Sequence, residues 1–273
     1  MNYNAWKNKV FEGLTKYKVN TLGITGSGYY GKKLVAHILP RGSWSQNFML
    51  DVSKLNYKKH HGYHHLNSSQ TMCINFFYPM FEDKYKLLNK LLSKVFGGKI
   101  TIVKAEFEST DKTNYGDTNF DFFCEDSKGI KYFFEIKYTE KDISKMCLSK
   151  DRSAKRHLEV FNEKYKPIIE KEGSYLKKCL SEPLVFMEEH YQAFRNMSVS
   201  NEKEKVYSIF LTMKENKGTF FELQSALEYI GGEKKYIKSL YWEDLLDLIL
   251  NHMRLSPDTE GYFIEFKHKY LDY

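Results

Sequence analysis

The chain has 273 residues, enough for one elaborated domain or two small ones, and carries a formal charge of +7 at pH 7. Its hydrophobic content of 42% and aromatic content of 16% exclude a disordered chain. Its apolar runs are too short to suggest a transmembrane helix, and its N-terminus does not resemble a signal peptide. The four cysteines form no CxxC pair. We therefore expect a cytoplasmic protein with reduced thiols, no zinc site and no membrane partner.

The positive charge is concentrated near the N-terminus. Residues 1–69 contain ten lysines and arginines but only Glu12 and Asp51 as acids, a net charge of +8, so the rest of the chain carries −1. Aromatic residues are interleaved with these cations. Cations beside exposed aromatics suit phosphate contact and base stacking, but a solvated basic face over buried aromatics has the same pattern. We treat residues 1–67 as a basic region packed on or near a core.

A long helix dominates the first part of the predicted core. Apolar residues recur at helical spacing over 68–96, where Ser68 or Ser69 is suited to cap the start and Pro79 predicts a kink or break. The remaining elements follow from spacing and turn residues. In chain order we predict loops at 20–31 and 40–47, strands at 99–108, 119–125 and 130–138, a mostly helical stretch at 140–181, a helix at 184–197, a strand at 205–213, helices at 220–230 and 239–254, and a strand at 261–270.

This order predicts a mixed α/β domain, that is, an α+β fold with a mixed sheet. We assign residues 68–215 to the core and 216–273 to a C-terminal extension of helices and a strand. No internal repeat or low-complexity linker interrupts the chain.

A pair of carboxylates and a lysine is the most informative chemical pattern. If the turn between strands 119–125 and 130–138 is centred on residue 128, Asp121 faces Glu135 across the ladder, and Lys137 lies diagonally on the same face. An even-length turn or a bulge would break this register. Two facing carboxylates repel each other, which Mg²⁺ would relieve, and a lysine suits charge stabilisation at phosphorus. The alternative is a surface hairpin with a salt bridge.

These residues resemble the motif of the PD-(D/E)XK nuclease superfamily. The predicted order also matches its αβββαβ core, with helix 70–96, three strands, helix 185–198 and strand 205–213. Phe120 stands where the motif has proline. More narrowly, the stretches HLNSSQ at 65–70 and NFF at 75–77 are similar to the opening motif of a group of bacterial restriction endonucleases, and YQAFRN at 191–196 is similar to their later helical motif. The resemblance covers about residues 60–215.

The resemblance implies a restriction-endonuclease-like αβββαβ core with N- and C-terminal additions. It implies that Asp121 and Glu135 ligate Mg²⁺, with Mn²⁺ as a substitute, that the Ile136 carbonyl is a further ligand and that Lys137 is catalytic. Glu106 or Glu108 would supply an extra carboxylate. Strand parity places both glutamates on one face, with Glu108 slightly preferred.

Two further motif segments supply candidate residues. Gln192 and Arg195 share a helical face because they are three residues apart. Gln192 would contact a water or a phosphate and Arg195 a phosphate, whereas packing on a helix surface is the alternative. Gln70 belongs either to the pocket, as a possible contact to nucleic acid, or only to the start of the helix.

Two basic segments are candidate nucleic-acid contacts. Residues 26–33 match GxGxxG but lack a strong preceding strand, and Lys33 stands where a P-loop needs Ser or Thr, so we expect no nucleotide cofactor. Lys32 and Lys33 remain candidates for phosphate contact in a basic loop. The run 150–157 would line a DNA cleft or start a solvated helix. Its candidates are Arg152, Lys155 and Arg156.

A histidine-rich segment at residues 60–65 has no acid or cysteine to complete a zinc site. An exposed loop is the simplest interpretation, with a lid or a phosphate-contacting loop as alternatives.

The sequence therefore predicts a Mg²⁺-dependent DNA endonuclease of restriction type that acts on double-stranded DNA in restriction–modification or phage defence. Cutting both strands requires two active sites, which makes a homodimer plausible. Two alternatives remain open: a non-catalytic nucleic-acid-binding protein on a nuclease-like fold, and a repair exonuclease that processes DNA ends.

Overall fold

The protein is described by a computed structural model that covers residues 2–55, 57–110, 119–141, 153–232 and 234–273. A five-stranded mixed sheet forms its centre, and a two-stranded hairpin lies apart from it. The hairpin strands are β1 (Gly28–Tyr30) and β2 (Lys33–Val35), and the sheet contains, in spatial order, β3 (Ile102–Thr110), β4 (Asn119–Asp126), β5 (Lys131–Ile136), β6 (Val206–Thr212) and β7 (Ile237–Tyr241). The mixed α/β fold class is thereby confirmed.

Helices cover both faces of the sheet. In chain order they are α1 (Tyr3–Asn20), α2 (Ser69–Phe77), α3 (Pro79–Glu82), α4 (Lys86–Phe96), α5 (Ala154–Val160), α6 (Lys166–Ile169), α7 (Tyr191–Met197), α8 (Lys217–Tyr229), α9 (Trp242–His252) and α10 (Pro257–Tyr270). Short 3₁₀ turns occur at Trp44–Asn47 and Lys177–Leu180, and π-helical turns at Phe161–Tyr165 and Val185–Glu189. Within the described ranges, no helix is long and apolar enough to cross a membrane.

The strands are apolar on both sides because a helical layer covers each face. In β4, Phe122 packs with the larger core that contains α1, α2, α4, α9 and α10, whereas its neighbour Phe123 faces the other side. Phe210 of β6 joins the second helical core, which includes α7 and α8. Consecutive side chains of a strand point to opposite faces, so buried strands of this kind read as nearly continuous apolar runs.

The hairpin of β4 and β5 has the predicted register. Phe122 lies opposite Phe134 and Phe123 opposite Phe133, so each pair adds to 256, as a turn centred on residue 128 requires. Asp126 Oδ1 accepts hydrogen bonds from the backbone N–H groups of residues 128 and 130, each at 2.9 Å. Gly129 adopts φ 77°, which a β-carbon would disfavour. The turn chemistry therefore fixes which strand residues meet.

The β5, β6 and β7 strands are mutually parallel and are joined by helical crossovers. The segment containing α5–α7 connects β5 to β6, and α8 connects β6 to β7. The predicted helix 220–230 is therefore confirmed as the second crossover. β7 extends the sheet beyond residue 215 and was not predicted, because its five residues merge into the apolar pattern of α9.

The predicted break of the first long helix is confirmed. Ser68 is the cap, since its hydroxyl accepts from the N–H of Thr71 at 3.3 Å. α2 ends before Pro79, and α4 starts only after Lys84 and Tyr85, which both have positive φ.

Two other predicted elements need correction. The helix at 184–197 is interrupted at His190, between a π-helical turn and α7. The strand at 261–270 is wrong, because these residues belong to α10. Their buried aromatics, Phe263, Phe266 and Tyr270, have the three- and four-residue spacing of a helix face, and Pro257 occupies the first turn, where proline is tolerated.

The basic N-terminal region contributes directly to the main core. Trp6, Val10 and Leu14 of α1 are buried in the core that also holds α10. The second interpretation, a basic face over buried aromatics, therefore holds for Trp6 and for Tyr17, which is buried as well. Lys18 is also buried, where its Nζ donates to the Gly26 carbonyl at 2.5 Å.

Candidate active site

A cleft of about 350 Å³ lies where β3 and β5 end and β4 begins. Acidic, basic and amide side chains line it, from the strand ends and from α2 and α7. Its lining residues are His60, Ser69, Glu108, Asn119, Asp121, Glu135, Ile136, Lys137, Glu140, Gln192 and Arg195. Asp121, Glu135 and Lys137, which the sequence singled out, are therefore brought together in one place.

Asp121 leaves the regular ladder at the point where the cleft begins. Its Oδ2 accepts from the backbone N–H of Ile136 at 2.7 Å, one residue beyond the register partner Glu135. Burial raises the pKa of Asp121 well above its usual range, and the neighbouring Glu135 raises it further. Lys137 and the N–H of Ile136 oppose this rise without cancelling it. A carboxyl group in this position favours a cationic partner.

Glu135 and Lys137 form a buried ion pair on the same strand face. Their Nζ and Oε1 atoms are 2.9 Å apart, and Gln192 Nε2 donates to the same Glu135 oxygen at 3.2 Å. Burial would lower the pKa of Lys137, but Glu135, Glu140 and Asp121 outweigh it and raise the pKa above its ordinary value. The surrounding carboxylates therefore favour the charged ammonium form of Lys137 at neutral pH.

Glu108 enters the cleft from β3 through an unusual backbone conformation. Its φ is 51°, a left-handed value that costs a non-glycine residue roughly 1–2 kcal/mol. Its Oε1 accepts from Gln70 Nε2 at 2.8 Å, and its Oε2 lies 3.2 Å from His60 Nε2. Glu106 instead lies 2.9 Å from Lys104, with both side chains about half exposed. The two candidate glutamates therefore differ in position, and Glu108 is the one that lines the cleft.

Gln70 is buried behind Glu108, so of its two interpretations the structure favours a place at the pocket, where it supports a lining residue. Besides Glu108, its Nε2 donates to the Lys58 carbonyl at 2.8 Å, and its Oε1 accepts from the His60 N–H at 2.9 Å. These bonds join the first turn of α2 to β3 and to the segment at Lys58–His60 through one amide. Gln70 thus orients Glu108 and holds the segment that carries His60 against it.

Gln192 and Arg195 of α7 both line the cleft, as their shared helical face predicted. Among the described residues, Gln192 Oε1 is buried with no hydrogen-bond partner. Arg195 Nε donates to Asn196 Oδ1 at 3.3 Å, and its guanidinium lies 5.9 Å from the centre of the Tyr191 ring. An orphaned amide oxygen inside a polar cleft is an acceptor for a donor that the described residues do not provide.

Of the other predicted contacts, those within the described residues lie outside the cleft lining. Lys32 and Lys33 are exposed on the β1–β2 hairpin. Lys155 and Arg156 are exposed at the start of α5, where Arg156 pairs with Glu159 at 3.0 Å. Arg152 lies outside the described residues.

The histidine-rich segment is divided between two environments. His60 reaches the cleft, and its contact with Glu108 raises its pKa above the ordinary value. His64 is buried and stacks on Trp44 with ring centres 4.4 Å apart. The interpretation of residues 60–65 as an exposed loop therefore holds for His60 and His61 but not for His64.

Three lining residues were not predicted as site residues: Ser69, Asn119 and Glu140. Glu140 lies beyond the end of β5, where no strand period assigns a face, and its Oε2 accepts from the Tyr138 N–H at 2.7 Å. Asn216, the cap of α8, donates to the carbonyl groups of Tyr138 and Glu140 at 3.1 and 2.8 Å. An asparagine at the start of a helix is a capping signal, and this is the feature of the sequence that indicates a structural role for Asn216.

The donor set fits a magnesium ion better than a metal that needs a closed protein cage. Across the described part of the chain, no group of three or more His, Cys, Asp and Glu residues is placed to hold a metal. Asp121, Glu135 and the Ile136 carbonyl nevertheless offer hard oxygen atoms in one cleft. Mg²⁺ is commonly held by one or two carboxylates together with waters and substrate phosphates. The buried acceptor Gln192 Oε1 is suited to such a water.

The mixed sheet and its polar cleft are consistent with a restriction-endonuclease-like core. A family model described as "Restriction Endonuclease associating with ARP" matches residues 5–271, and the chain belongs to this family. Neither a curated protein nor a solved structure matches the chain. The family description indicates a nuclease-type function, with DNA as the substrate that this implies.

Proposed function

We propose that the protein is a Mg²⁺-dependent DNA endonuclease of restriction type that hydrolyses phosphodiester bonds of double-stranded DNA. One observation carries this proposal: β3, β4 and β5 bring Glu108, Asp121, Glu135 and Lys137 into a single cleft. The pattern of Asp121 with Glu135-x-Lys137 is the one that resembles the PD-(D/E)XK motif. Restriction–modification or phage defence is the corresponding biological setting.

The roles of the acidic residues follow from their bonds. Asp121 and Glu135 would hold the metal with the Ile136 carbonyl, and Mn²⁺ would substitute for Mg²⁺. The bound ion supplies Lewis-acid polarisation of the phosphate and a lower pKa for the attacking water. Glu108 adds negative charge at the cleft wall, where Gln70 fixes its orientation.

The neutral and basic residues complete the chemistry. Lys137 remains charged and donates to a phosphate oxygen whose negative charge grows during attack. Gln192 Oε1 accepts from the attacking water and so orients it. Arg195, on the same helix face, contacts a neighbouring phosphate and holds the backbone in place.

A cleavage assay on supercoiled plasmid in Mg²⁺ tests the proposal. The wild-type chain is expected to linearise or nick the plasmid, and Glu135→Gln or Glu108→Gln to cleave far more slowly while binding DNA. Glu106→Gln is the matched control, since this glutamate lies on the same strand but outside the cleft. Full cleavage by Glu135→Gln, or by the wild type in EDTA, would refute the proposal. Thermal unfolding of each variant separates lost chemistry from lost folding.

A non-catalytic nucleic-acid-binding protein is the second candidate. It is favoured by the Lys137 ammonium, which already bonds to the Glu135 oxygen that a metal would need, and by the lack of a three-residue metal group in the described ranges. This candidate predicts salt-dependent DNA binding with no cleavage of any substrate in Mg²⁺ or Mn²⁺. A repair exonuclease would degrade linear DNA but leave a closed circle intact.

A further inference from the structure

The β1–β2 hairpin exposes an unusual amount of apolar surface. Tyr29, Tyr30 and Leu34 are 62%, 68% and 62% exposed, all within six residues of the chain. The other large exposed apolar side chains of the described residues are scattered along the chain, at Val19, Val103, Phe221 and Ile264. Single exposed apolar residues are ordinary, whereas a cluster marks a surface that meets another molecule.

The hairpin presents this surface as a regular two-stranded ribbon. Tyr29 pairs with Leu34 and Tyr30 with Lys33, joined by a two-residue turn at Gly31 and Lys32. Gly31 adopts φ 60°, as glycine does at the first turn position of tight hairpins. Because side chains alternate along each strand, Tyr29 and Leu34 share one face and Tyr30 and Lys33 the other.

The root of the hairpin is held tightly although its tip is exposed. A β-carbon on Gly28 would lie 2.4 Å from both Ile38 Cγ2 and the Leu39 carbonyl oxygen, so only glycine fits there. The N–H of Gly28 donates to the Ile38 carbonyl at 2.8 Å. Just before Gly28, the buried Lys18 ammonium donates a hydrogen bond to the Gly26 carbonyl and so holds residues 26 and 27 in place. The ribbon is therefore a fixed projection.

This projection is joined to the wall of the cleft by a short path of backbone contacts. Ile38 bridges to His65, and the N–H of Leu66 donates to the His37 carbonyl at 3.2 Å. The rings of Tyr30 and His65 meet edge to face at 5.9 Å. His60, five residues before His65, contacts Glu108 inside the cleft. A molecule bound at the ribbon is therefore linked to the cleft through one segment.

The charge around the ribbon favours a polyanion. Residues 13–50 contain no Asp or Glu, while Lys32 and Lys33 lie at the hairpin tip and Arg41 follows it. Duplex DNA carries one phosphate charge for about each 1.7 Å of its axis and attracts such a surface. Its major groove admits a two-stranded β-ribbon, and its thymine methyl groups accept apolar contacts.

We propose that the β1–β2 hairpin is a recognition ribbon that enters the major groove of DNA. Tyr29 and Leu34 contact the base edges, and Lys32 and Lys33 bind the flanking phosphates. This inference rests on the proposed function for the choice of DNA as ligand.

Binding measurements in EDTA test this inference without any need for cleavage. The full chain is titrated against a fluorescein-labelled 30-base-pair duplex of random sequence, by anisotropy at several KCl concentrations. The double variant Tyr29→Ser/Leu34→Ser is expected to bind about tenfold more weakly with an unchanged salt slope. Lys32→Gln/Lys33→Gln is expected to lower the salt slope by about 1.8, from about 0.9 per phosphate contact. Phe221→Ser, which changes a residue that is 65% exposed elsewhere, is the matched control and should bind like the wild type.

Competition assigns the groove. Methyl green, a major-groove ligand, is expected to displace the protein, whereas netropsin, a minor-groove ligand, is not. Displacement by netropsin alone would overturn the inference, as would wild-type affinity in both double variants. Loss of an oligomer in sedimentation with unchanged DNA affinity would overturn it too, by assigning the ribbon to a protein contact. Failure of the proposed function would appear separately, as absence of cleavage by a wild type that still binds through the ribbon.

Discussion

Two buried lysines show how differently this protein treats the same side chain. Lys137 is 8% exposed and lies among carboxylates in the cleft, whereas Lys269 is 3% exposed and lies on the buried side of α10, with its Nζ 5.6 Å from the centre of the Tyr17 ring of α1. Lys269 Nζ donates to the Asn47 carbonyl at 2.5 Å and lies 4.9 Å from the Tyr270 ring centre. The pKa of Lys137 is raised, but burial lowers the pKa of Lys269 to about 7, with Glu265 opposing the shift.

The difference shows what surrounding charge does to a buried cation. At Lys137 the carboxylates overcome the cost of burial, so the charged form is stable and available for chemistry. At Lys269 a single carbonyl group and two aromatic rings do not overcome the cost of burial. Protonation of Lys269 therefore opposes folding. Burial alone therefore does not mark a candidate functional lysine, whereas burial combined with converging carboxylates makes Lys137 a candidate.

The largest expected effect is on catalysis at Lys137. Lys137→Met should reduce plasmid cleavage about 10²–10³-fold, because a preorganised donor to the developing charge is lost. The change also leaves Glu135 and Asp121 facing each other without their cation. Lys269→Met is the matched control and should cleave like the wild type. Equal losses of plasmid cleavage in Lys137→Met and Lys269→Met would show that the surrounding carboxylates give Lys137 no special role.

The next effect concerns stability at Lys269 and depends on pH. The unfolded chain holds the Lys269 proton up to about 10.5, but the folded chain releases it near 7. The unfolded state binds more protons in this window, so wild-type stability rises as pH increases from 7 towards 10.5. Lys269→Met should therefore raise the free energy of unfolding at pH 6 by on the order of 5 kcal/mol, and so raise the denaturant midpoint, with the gain shrinking at pH 9.5.

The Asn47 carbonyl does not become an orphan in this variant, because Asn75 Nδ2 also donates to it at 3.0 Å. Urea titrations of both proteins at pH 6, 8 and 9.5 measure the difference. A destabilised Lys269→Met at pH 6 would contradict the assigned cost of burial.

A smaller effect is expected where Gln70 supports the cleft. Gln70→Leu removes three hydrogen bonds that orient Glu108 and the His60 segment. Loss of such supporting bonds typically weakens a metal site about 10–100-fold. Mg²⁺ dependence of cleavage and calorimetric Mg²⁺ binding both report it. Gln224→Leu, on a helix outside the cleft, should leave the Mg²⁺ affinity unchanged; a shift there would show that the assay responds to stability instead.

The smallest expected effect is on the free energy of unfolding and concerns the start of α2. This helix carries Gln70, which supports the cleft, and Asn75, which lies near Lys269. Ser68→Ala should lower the free energy of unfolding by about 1 kcal/mol, as loss of an N-cap does. Ser69→Ala, one residue further, should change it little. The reverse order would show that the cap is misassigned.

Where the sequence contains a periodic or steric signal, it predicted the structure well. The register of β4 with β5 followed from the turn at residue 128, and the break before Pro79 followed from a missing N–H group. Glu108 could not be separated from Glu106 because the distinction depends on a left-handed backbone that strand parity does not encode. Gln70 and Glu140 act through tertiary contacts that have no local pattern.

The errors at the C-terminus have a similar physical origin. Residues 261–270 satisfy an alternating pattern and a helical one, and packing against α1, α2 and α9 selects the helix. β7 is short and joined directly to α9, so its two-residue period is lost in the longer helical pattern.

The contact between α1 and α10 determines when, during synthesis of the chain, the backbone beside the cleft becomes anchored. Tyr3 donates to the Thr139 carbonyl at 2.7 Å, and Tyr138 donates to the Tyr270 carbonyl at 2.8 Å, so both helices hold the chain just beyond Lys137. A ribosome adds about 5–20 residues per second, so α1 waits roughly 10–50 s for its partner. During the later half of that interval the carboxylates exist but the backbone around them is not anchored. Chains arrested before Pro257 should therefore leave plasmid intact when released full-length chains cut it, which would keep a nascent nuclease harmless to the DNA beside which it is made.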